Sequence, residues 1–379
     1  MDIKELRDQI DVIDDELVKL YLKRMDTVAK IAEKKSDEGS SVNDGKREKE
    51  IVYRITKDLN DDFKIYVKEL YSAIFTTSKA YQTVAINRTS ETAEKLKKIY
   101  EAGQEKFPVS ATVAVQGVLG SNSYAAATKL FPISDITFVK SFEGVFNAVA
   151  KGLCEYGILP IENSTAGSVN EVYDLMKKYD FHIVKAVRIK INHCLAGVKG
   201  AKKSDIKTVV SHAQALYQCG DYLKEMKVAT VAAENTATAA KELSAKNDET
   251  VAVLCSEECA ELYGLDILDR SVQDNSSNYT RFICIGKKLQ VFEGSNKISV
   301  MTSLQHEPGS LNKTLARFAA LGLDLTKIES RPISGSSFEF MFYFDFDGNV
   351  FDRKIISLIA ELENSSDKFG FLGSYQEII

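Results

Sequence analysis

Residues 111–162 read ATVAVQGVLGSNSYAAATKLFPISDITFVKSFEGVFNAVAKGLCEYGILPIE. Short apolar runs (ATVAVQG, DITFVK, EYGILPIE) alternate with segments that read as helices (SNSYAAATKLF, SFEGVFNAVAKG). Period two giving way to period 3.6 and back is the mark of strand–helix–strand units. Repeated, such units wind an α/β domain around a largely parallel sheet. The alternation resumes in IKTVVSH (206–212), in a helix around QALYQCGDYLKEM (214–226), and in the strands TVAVLC (250–255) and TRFICIG (280–286). The span 111–285 is long enough for two lobes, and KAVRIKINHCLAGV (185–198) reads as a ribbon crossing between them.

Working outward, the composition changes near residue 108. Before Pro108 there is no proline, and Gly39, Gly45 and Gly103 are the glycines. Helices tolerate that composition and β-rich folds rarely have it. Leu6, Ile10, Ile13, Leu17 and Leu20 fall on one helical face, and the pattern continues through Val28 and Ile31 to about Lys35. This predicts a first helix of about 50 Å. SDEGSSVNDG (36–45) breaks it, a short helix follows from about Lys46 to Leu59, and Asn60-Asp61 caps a third running from about Asp62 to near Gly103. So long an arm buries little alone, and a second copy of the chain is expected to cover it. Beyond residue 297 the order is KISVMTSLQ (strand), GSLNKTLARFAALG (helix), DLTKIESRPI and FEFMFYFDFDG (strands), VFDRKIISLIAELENS (helix) and FGFLGSYQEI (strand). That βαββαβ order predicts a ferredoxin-like α+β unit.

The 379 residues carry a formal charge of -5, with 44% hydrophobic and 27% charged residues. These values suit ordinary globular domains, two or three of them, and argue against disorder. No stretch approaches the roughly 18 apolar residues of a membrane helix, and the N-terminal residues lack a signal-peptide core. The expectation is a cytoplasmic protein with no membrane partner. Mild acidity gives no reason to expect nucleic acid. The six cysteines contain no CxxC pair and there are four histidines. No zinc or other metal site is therefore expected, and the thiols should be reduced and mostly buried.

Two sets of polar residues interrupt apolar faces in the helical segment. Arg24 and Lys35 share a face with Val28 and Ile31, and Ser78 and Gln82 continue the stripe of Tyr71, Ile74 and Phe75. Arg7 borders the first stripe. A buried charge without a partner is costly. Such groups either meet a ligand or snorkel to solvent at the edge of a core. Taken together, LR at 6–7, KR at 23–24, KK at 34–35, ND at 43–44, KRE at 46–48 and S-x-x-x-Q at 78–82 resemble the helical chorismate mutase family. The resemblance implies Arg7, Arg24, Lys35, Asp44, Arg47, Glu48, Ser78 and Gln82 as active-site positions, with Arg7 reaching the site of a partner chain. Gly45 stands where the family usually has a β-branched residue.

In the α/β segment, PIENSTAGSVNEVYDL (160–175) places Glu162, Asn163, Ser164 and Thr165 after a strand and before a helix. A polar loop at the C-terminal end of a parallel strand is where such folds bind ligands. Ordinary helix capping would also account for it. SHAQALYQC (211–219) contributes Ser211, His212 and Gln218; a lone His such as His212 more often has a structural role than an acid–base one. Asn278-Tyr279-Thr280-Arg281-Phe282 opens a strand, and alone would be a strand start with a paired surface Arg. GVLGSNSYAAA (117–127) is a glycine turn opening a helix, alone a weak phosphate-loop lookalike. In this order the four pieces resemble the prephenate dehydratase family. They imply Glu162, Asn163, Ser164, Ser211, Gln218, Thr280, Arg281 and Phe282 as active-site positions, with Thr280 on the departing hydroxyl and Arg281 as a carboxylate anchor. Gln116, Val118, Asn122 and Tyr124 depart from that family's usual residues.

Pro308-Gly309-Ser310-Leu311 and Glu329-Ser330-Arg331-Pro332 resemble the phenylalanine-binding ACT domain. Gly309, Ser310, Leu311, Glu329, Ser330, Arg331 and Pro332 are the implied effector positions. The three resemblances stand in the order known for bifunctional mutase–dehydratases. They imply an all-α mutase domain at 1–104, a two-lobed, periplasmic-binding-protein-like dehydratase domain at 109–288 and an ACT domain at 297–379. The implied substrates are chorismate and prephenate, the effector L-phenylalanine, and the assembly a homodimer or higher homo-oligomer, with no cofactor and no metal. A non-catalytic amino-acid sensor and a dehydratase with an inert, dimerising arm are the competing readings.

Overall fold

The computed structural model describes residues 2–37, 44–85, 90–304, 308–333 and 339–379. The chain forms two compact units, one of Met1–Lys98, Thr302–Tyr343 and Phe351–Phe369, the other of Ile99–Met301, Phe344–Val350 and Gly370–Ile379.

The helical part of the first unit comprises α1 (Ile3–Asp37), α2 (Gly45–Thr56), α3 (Asp61–Ala85) and the start of α4 (Glu91–Ala102). Both α1 and α2 pack on α3. Most of the expected turn at 36–45 lies outside the described residues. The third helix differs from expectation, because α3 and α4 are separate. Ser90 Oγ accepts from the Ala93 amide at 3.1 Å, a capping bond that favours a fresh helix start over continuation. Among the described side chains of α1 only Val28 and Ala32 are buried, whereas Leu6, Ile10, Ile13, Leu17 and Leu20 are 43–65% exposed. The apolar stripe of the first helix thus stands uncovered within one chain.

The second unit begins with β1 (Ser110–Gln116), α5 (Asn122–Leu130), β2 (Ile133–Val139), α6 (Phe142–Ala150), β3 (Tyr156–Asn163), β4 (Gly167–Ser168), α7 (Asn170–Tyr179) and β5 (His182–Lys190). The chain then passes through β6 (Cys194–Gly197), β7 (Thr208–His212), α8 (Ala213–Gln218), α9 (Gly220–Met226), β8 (Ala229–Ala233), α10 (Thr236–Lys246), β9 (Val251–Cys255), α11 (Glu257–Leu262) and β10 (Asp266–Asp269), and returns in β11 (Tyr279–Gly286). Along the chain there follow β12 (Lys297–Ser303), α12 (Ser310–Ala320), β13 (Leu325–Pro332), β14 (Phe340–Asp347), α13 (Arg353–Ser365), β15 (Phe369–Tyr375) and β16 (Glu377–Ile378), of which α12, β13 and α13 fall in the first unit.

These strands make two lobes and a third sheet. The first lobe is a seven-stranded sheet in the order β16-β5-β11-β3-β1-β2, with β4 paired to β3; the second is five-stranded, β10-β6-β9-β7-β8. Both are mixed rather than largely parallel. β1 pairs in parallel with β2 and β3, but β11 runs antiparallel to β3 and β5 because it re-enters from the other lobe. The expected crossing ribbon is found: β5 belongs to the first sheet and β6 to the second, with 191–193 between them. Strand β9 shows the period-two logic of a strand buried on both faces. Val253 and Cys255 pack in one core with α10 and α11, Ala252 and Leu254 in another with Cys219 and Leu223. The third sheet has the order β13-β14-β12-β15, that of a ferredoxin-like βαββαβ unit. The expected last strand, 369–378, is broken at Gln376: its final residues form β16, which leaves that unit and pairs in parallel with β5, Glu377 opposite Ala186 and Ile378 opposite Val187.

Helix α6 lies so close to β3 that a Cβ on Gly157 would sit 2.5 Å from Val145 Cγ1 and 3.2 Å from Ile285 Cγ1. Gly157→Ala should therefore cost about 1–3 kcal/mol through overpacking, measured as an earlier urea midpoint by circular dichroism.

Candidate active sites

In the helical unit, α1 and α3 bring Arg24 and Ser78 together. The Arg24 guanidinium donates to Ser78 Oγ and lies over the Phe75 ring, 5.9 Å from its centroid. Ser78 Oγ in turn donates to the Ile74 carbonyl at 2.5 Å. One turn away Tyr21 donates to Thr77 Oγ1 at 2.7 Å. Glu48 of α2 pairs with Lys79 of α3 at 2.8 Å, so α2 presents a carboxylate to the same helix. Gln82, a further turn along α3, is buried, and its Oε1 has no hydrogen-bond partner among the described residues. Lys35 lies about three turns beyond Arg24 on α1, half-buried. Asp44 caps α2 by accepting from the Arg47 amide at 3.0 Å. Arg47 pairs with Glu50 on the exposed face, so neither is drawn toward Arg24. Arg7 stands about 25 Å up the continuous helix from Arg24, exposed. A single chain does not bring it to the others.

In the α/β unit the antiparallel pairing of β3 with β11 sets Asn163 opposite Thr280. Asn163 is fixed at both ends. Its Oδ1 accepts from the Thr165 and Ala166 amides at 3.0 and 2.8 Å, closing the turn that leads to Gly167. That settles the amide orientation, so Nδ2 faces Thr280 Oγ1 at 2.9 Å and Asn278 Oδ1 at 2.8 Å. Thr280 is the acceptor in its bond, which leaves its own O–H to donate elsewhere. Ser164 Oγ accepts from the Tyr279 amide at 2.9 Å and donates to the Ser277 carbonyl at 3.1 Å, tying the loop to the start of β11.

Other expected members stand differently. Phe282 is 2% exposed and belongs to the core of the first sheet with Val113, Ile158 and Val187, so its side chain packs rather than faces the cluster. Ser211 is fully buried in β7, its hydroxyl donating to the Leu254 carbonyl at 2.7 Å. Arg281 is the main correction. Successive strand residues face opposite ways, and its guanidinium turns from Thr280 to Asp345, with Nη1 2.6 Å from Oδ2. A buried guanidinium goes where counter-charge is offered, which removes it as a carboxylate anchor beside Thr280. Glu162 sits opposite Arg281 in register, its carboxylate 3.8 Å from Nη1. His212 is an exposed N-cap, Nδ1 accepting from the Gln214 amide at 3.2 Å.

Two residues that sequence reasoning passed over join the cluster. Asn278 is 1% exposed, and its Nδ2 lacks a partner among the described residues. Its position in the N-x-T-R-F string was the signal available. His193, in the crossing between the lobes, is buried; its Nε2 lies 3.1 Å from Gln218 Oε1 and its Nδ1 has no partner among the described residues. Burial holds its pKa below the usual imidazole value, opposed by the Gln218 bond. The returning segment runs alongside: the Val272 amide donates to the His193 carbonyl at 2.9 Å, and that of Asp274 to the Gln218 carbonyl at 2.8 Å. The Gln218–His193 pair is therefore laced to the stretch that delivers Asn278 and Thr280. Gly309, with φ 87°, caps α12, which opens with Ser310 and Leu311, while Glu329, Ser330, Arg331 and Pro332 end β13. No group of three or more His, Cys, Asp or Glu suited to a metal occurs among the described residues, and no helix is long and apolar enough to cross a membrane.

A family model described as prephenate dehydratase matches residues 113–290, and one described as chorismate mutase type II matches residues 6–83. The arogenate dehydratase/prephenate dehydratase 1 of Arabidopsis thaliana is 37% identical over 279 residues, covering 69% of this chain and 71% of the plant protein. The bifunctional chorismate mutase/prephenate dehydratase of Buchnera aphidicola is 31% identical over 386 residues, 97% of this chain and 95% of that one. Of solved structures, the prephenate dehydratase of Arthrobacter aurescens in complex with L-Phe aligns with a TM-score of 0.63 at 29% identity, covering 70% of this chain and 89% of its own. GqqA, described as a novel type of quorum quenching acylase, aligns with a TM-score of 0.64 at 27% identity, covering 70% of this chain and 97% of its own.

Replacing Asn163 by Ala removes the acceptor for two turn amides and the donor to Thr280 and Asn278. Each lost bond is worth about 0.5–1.5 kcal/mol. Amide exchange in 164–168 should quicken by about tenfold or more, with β7–β9 unchanged, as followed by hydrogen–deuterium exchange.

Proposed function

The chain belongs to the bifunctional chorismate mutase/prephenate dehydratase family, and we propose that its two sites carry out consecutive steps: chorismate to prephenate in the helical domain (1–104), prephenate to phenylpyruvate in the two-lobed domain (109–288). The observation that carries this is the relative matched across 97% of the chain, both halves included. The ferredoxin-like unit (297–379) is proposed as an ACT domain through which L-phenylalanine lowers flux. Its topology and the L-Phe bound to the Arthrobacter relative support that role. Gly309–Leu311 and Glu329–Pro332 are its candidate effector positions. Six unpaired, buried cysteines suit a reducing cytoplasm.

The first reaction is an intramolecular rearrangement with neither nucleophile nor proton transfer. The enzyme holds a dicarboxylate in a compact diaxial shape and stabilises charge growing on the ether oxygen. Arg24 suits a carboxylate because its guanidinium presents several donors in a fixed fork, and Ser78 steadies it. Lys35 and Gln82 donate to the ether oxygen. An amide buried with one end unpartnered, as in Gln82, is free to orient its NH2 toward a ligand. Glu48 completes the set, with Asp44 and Arg47 at the start of α2. Arg7 reaches the site of a second copy, whose α1 covers the exposed stripe of this one.

In the second reaction prephenate takes up a proton, loses its ring hydroxyl as water and its ring carboxylate as CO2, and becomes aromatic. Thr280 donates its hydrogen to the departing hydroxyl. Its acceptor side is occupied by Asn163, which directs the O–H outward. A water supplies the proton, because Glu162 shares the Arg281 side of the ladder. Asn163, Ser164 and Asn278 hold this side of the site, and Gln218, set by His193, the other. The carboxylate that leaves as CO2 must not be over-stabilised.

Thr280→Ala should let prephenate accumulate from chorismate with phenylpyruvate formation reduced at least 100-fold. Arg24→Ala should leave chorismate untouched while added prephenate is still consumed. A time course with product separation distinguishes the two, and loss of both activities in either folded variant would refute separate sites. Mixing Arg7→Ala with Arg24→Ala protein should restore part of the mutase rate by forming mixed dimers with one intact site. No recovery after subunit exchange would place Arg7 outside the partner's site.

A further inference from the structure

The sequence suggests a substrate role for Arg281, but its surroundings leave no room for substrate. It is 8% exposed, and the cavity beside it, bounded by Ile161, Ser299, Asp345 and Tyr375, measures about 10 Å³, space for about one water. Both terminal nitrogens of its fork hydrogen-bond, and Nε faces Glu377 as an ion pair without hydrogen-bond geometry. Nη1 is 2.6 Å from Asp345 Oδ2, Nη2 donates to the Tyr375 hydroxyl at 2.5 Å, and Nε is 2.7 Å from Glu377 Oε2. Behind this layer Ser299 Oγ donates to the other Asp345 oxygen at 2.5 Å and shares a hydrogen bond with Tyr375 at 2.7 Å. Ser299, Asp345 and Tyr375 come from β12, β14 and β15, three strands of the four-stranded sheet, while Glu377 lies on β16, which is paired to the dehydratase strand β5.

What this layer touches is the rung next to the proposed catalytic one. Thr280 faces Asn163, and Arg281 faces Glu162 one residue along the same ladder. The register slips immediately after Arg281, where a bulge re-aims side chains. Burial opposes the Arg281 charge, while Tyr375, Asp345 and Glu377 hold its pKa above the ordinary guanidinium value.

We propose that Arg281 is a positioning residue: anchored on Asp345, Tyr375 and Glu377, it sets where β11 holds Thr280 against Asn163 and makes that pair responsive to the four-stranded sheet. This deepens the effector reading above and rests on it for the regulatory part. A change in how β12, β14 and β15 pack would move Asp345 and Tyr375, and Arg281 would carry the movement to the next residue. Misplacement of a reacting group by about 1 Å can cost about 100-fold in rate.

The test uses the full chain with Tyr375→Phe, which removes one hydroxyl and keeps the ring, together with Asp345→Asn and Arg281→Lys. Mutase rate, dehydratase kcat and KM, L-phenylalanine binding by equilibrium dialysis and its effect on dehydration are measured for each. Tyr375→Phe and Asp345→Asn should lower dehydratase kcat about tenfold or more with KM within about twofold. The mutase rate should be unchanged, and L-phenylalanine should still bind but slow dehydration less. Arg281→Lys, a point charge in place of a fork, should show the same loss of kcat. Unchanged kcat and effector response in a folded Tyr375→Phe protein would overturn the proposal, as would an Arg281→Lys defect confined to KM, the behaviour of a substrate anchor. If L-phenylalanine neither binds nor slows the wild-type enzyme, the effector reading fails on its own, and the kcat and KM pattern still decides whether Arg281 positions Thr280.

Discussion

Strand β11 returns from the second lobe and is accepted between β3 and β5, antiparallel to both, and that ladder sets the terms for the rest of the α/β unit. It places Thr280 opposite Asn163 and Arg281 opposite Glu162. It also fixes where the returning segment passes His193 and Gln218. A ladder specifies side-chain direction as strictly as position, since a one-residue slip would exchange the faces. Here a slip would send Thr280 into the buried ion cluster and Arg281 toward the site.

The two candidate sites solve different electrostatic problems. In the helical unit Arg24 is held by a neutral hydroxyl and a ring face, an arrangement that leaves positive charge for an anionic substrate. Around Thr280 the polar groups are mostly neutral amides and hydroxyls, and the strong charges lie one rung away, matched among themselves. A cationic pocket suits the capture of a dicarboxylate. A weakly charged one suits a step in which a carboxylate must leave, because strong binding of that group in the ground state would oppose its loss.

Much of this was legible from sequence, for physical reasons. The 4-3-4-3 spacing on α1, the alternation from residue 111 and the βαββαβ order are periodic, and periodicity survives without tertiary knowledge. Arg24 and Ser78 stood out as polar groups interrupting apolar faces, whereas Asn163, Ser164 and Thr280 were chosen on the family resemblance, since alone they read as helix capping and a strand start. What could not be read was facing and pairing. Arg281 and Phe282 follow Thr280 in the string, yet one turns to Asp345 and the other into the core. His193 lay inside the run that reads as a ribbon crossing between the lobes, with nothing in the pattern to mark it as part of a site. The break between α3 and α4 turned on one serine cap, a local competition that a helix-period argument does not resolve. Residues 377–378 read as the tail of the last strand, and a two-residue change of partner leaves no separate mark in the pattern.

That small strand has a consequence for dissecting the protein. Family boundaries suggest modules that can be cut apart and recombined, with a seam near residue 290. The dehydratase sheet does not respect that seam. It takes its outermost strand from residues 377–378 and the counter-charges of its buried arginine from residues 345 and 377. A catalytic fragment ending at the seam would expose the edge of β5 and strand a desolvated cation, so its behaviour would report on the injury as much as on the enzyme. Shuffling modules between relatives carries the same condition: a transplanted C-terminal unit must bring its own acid and tyrosine to meet the host's arginine.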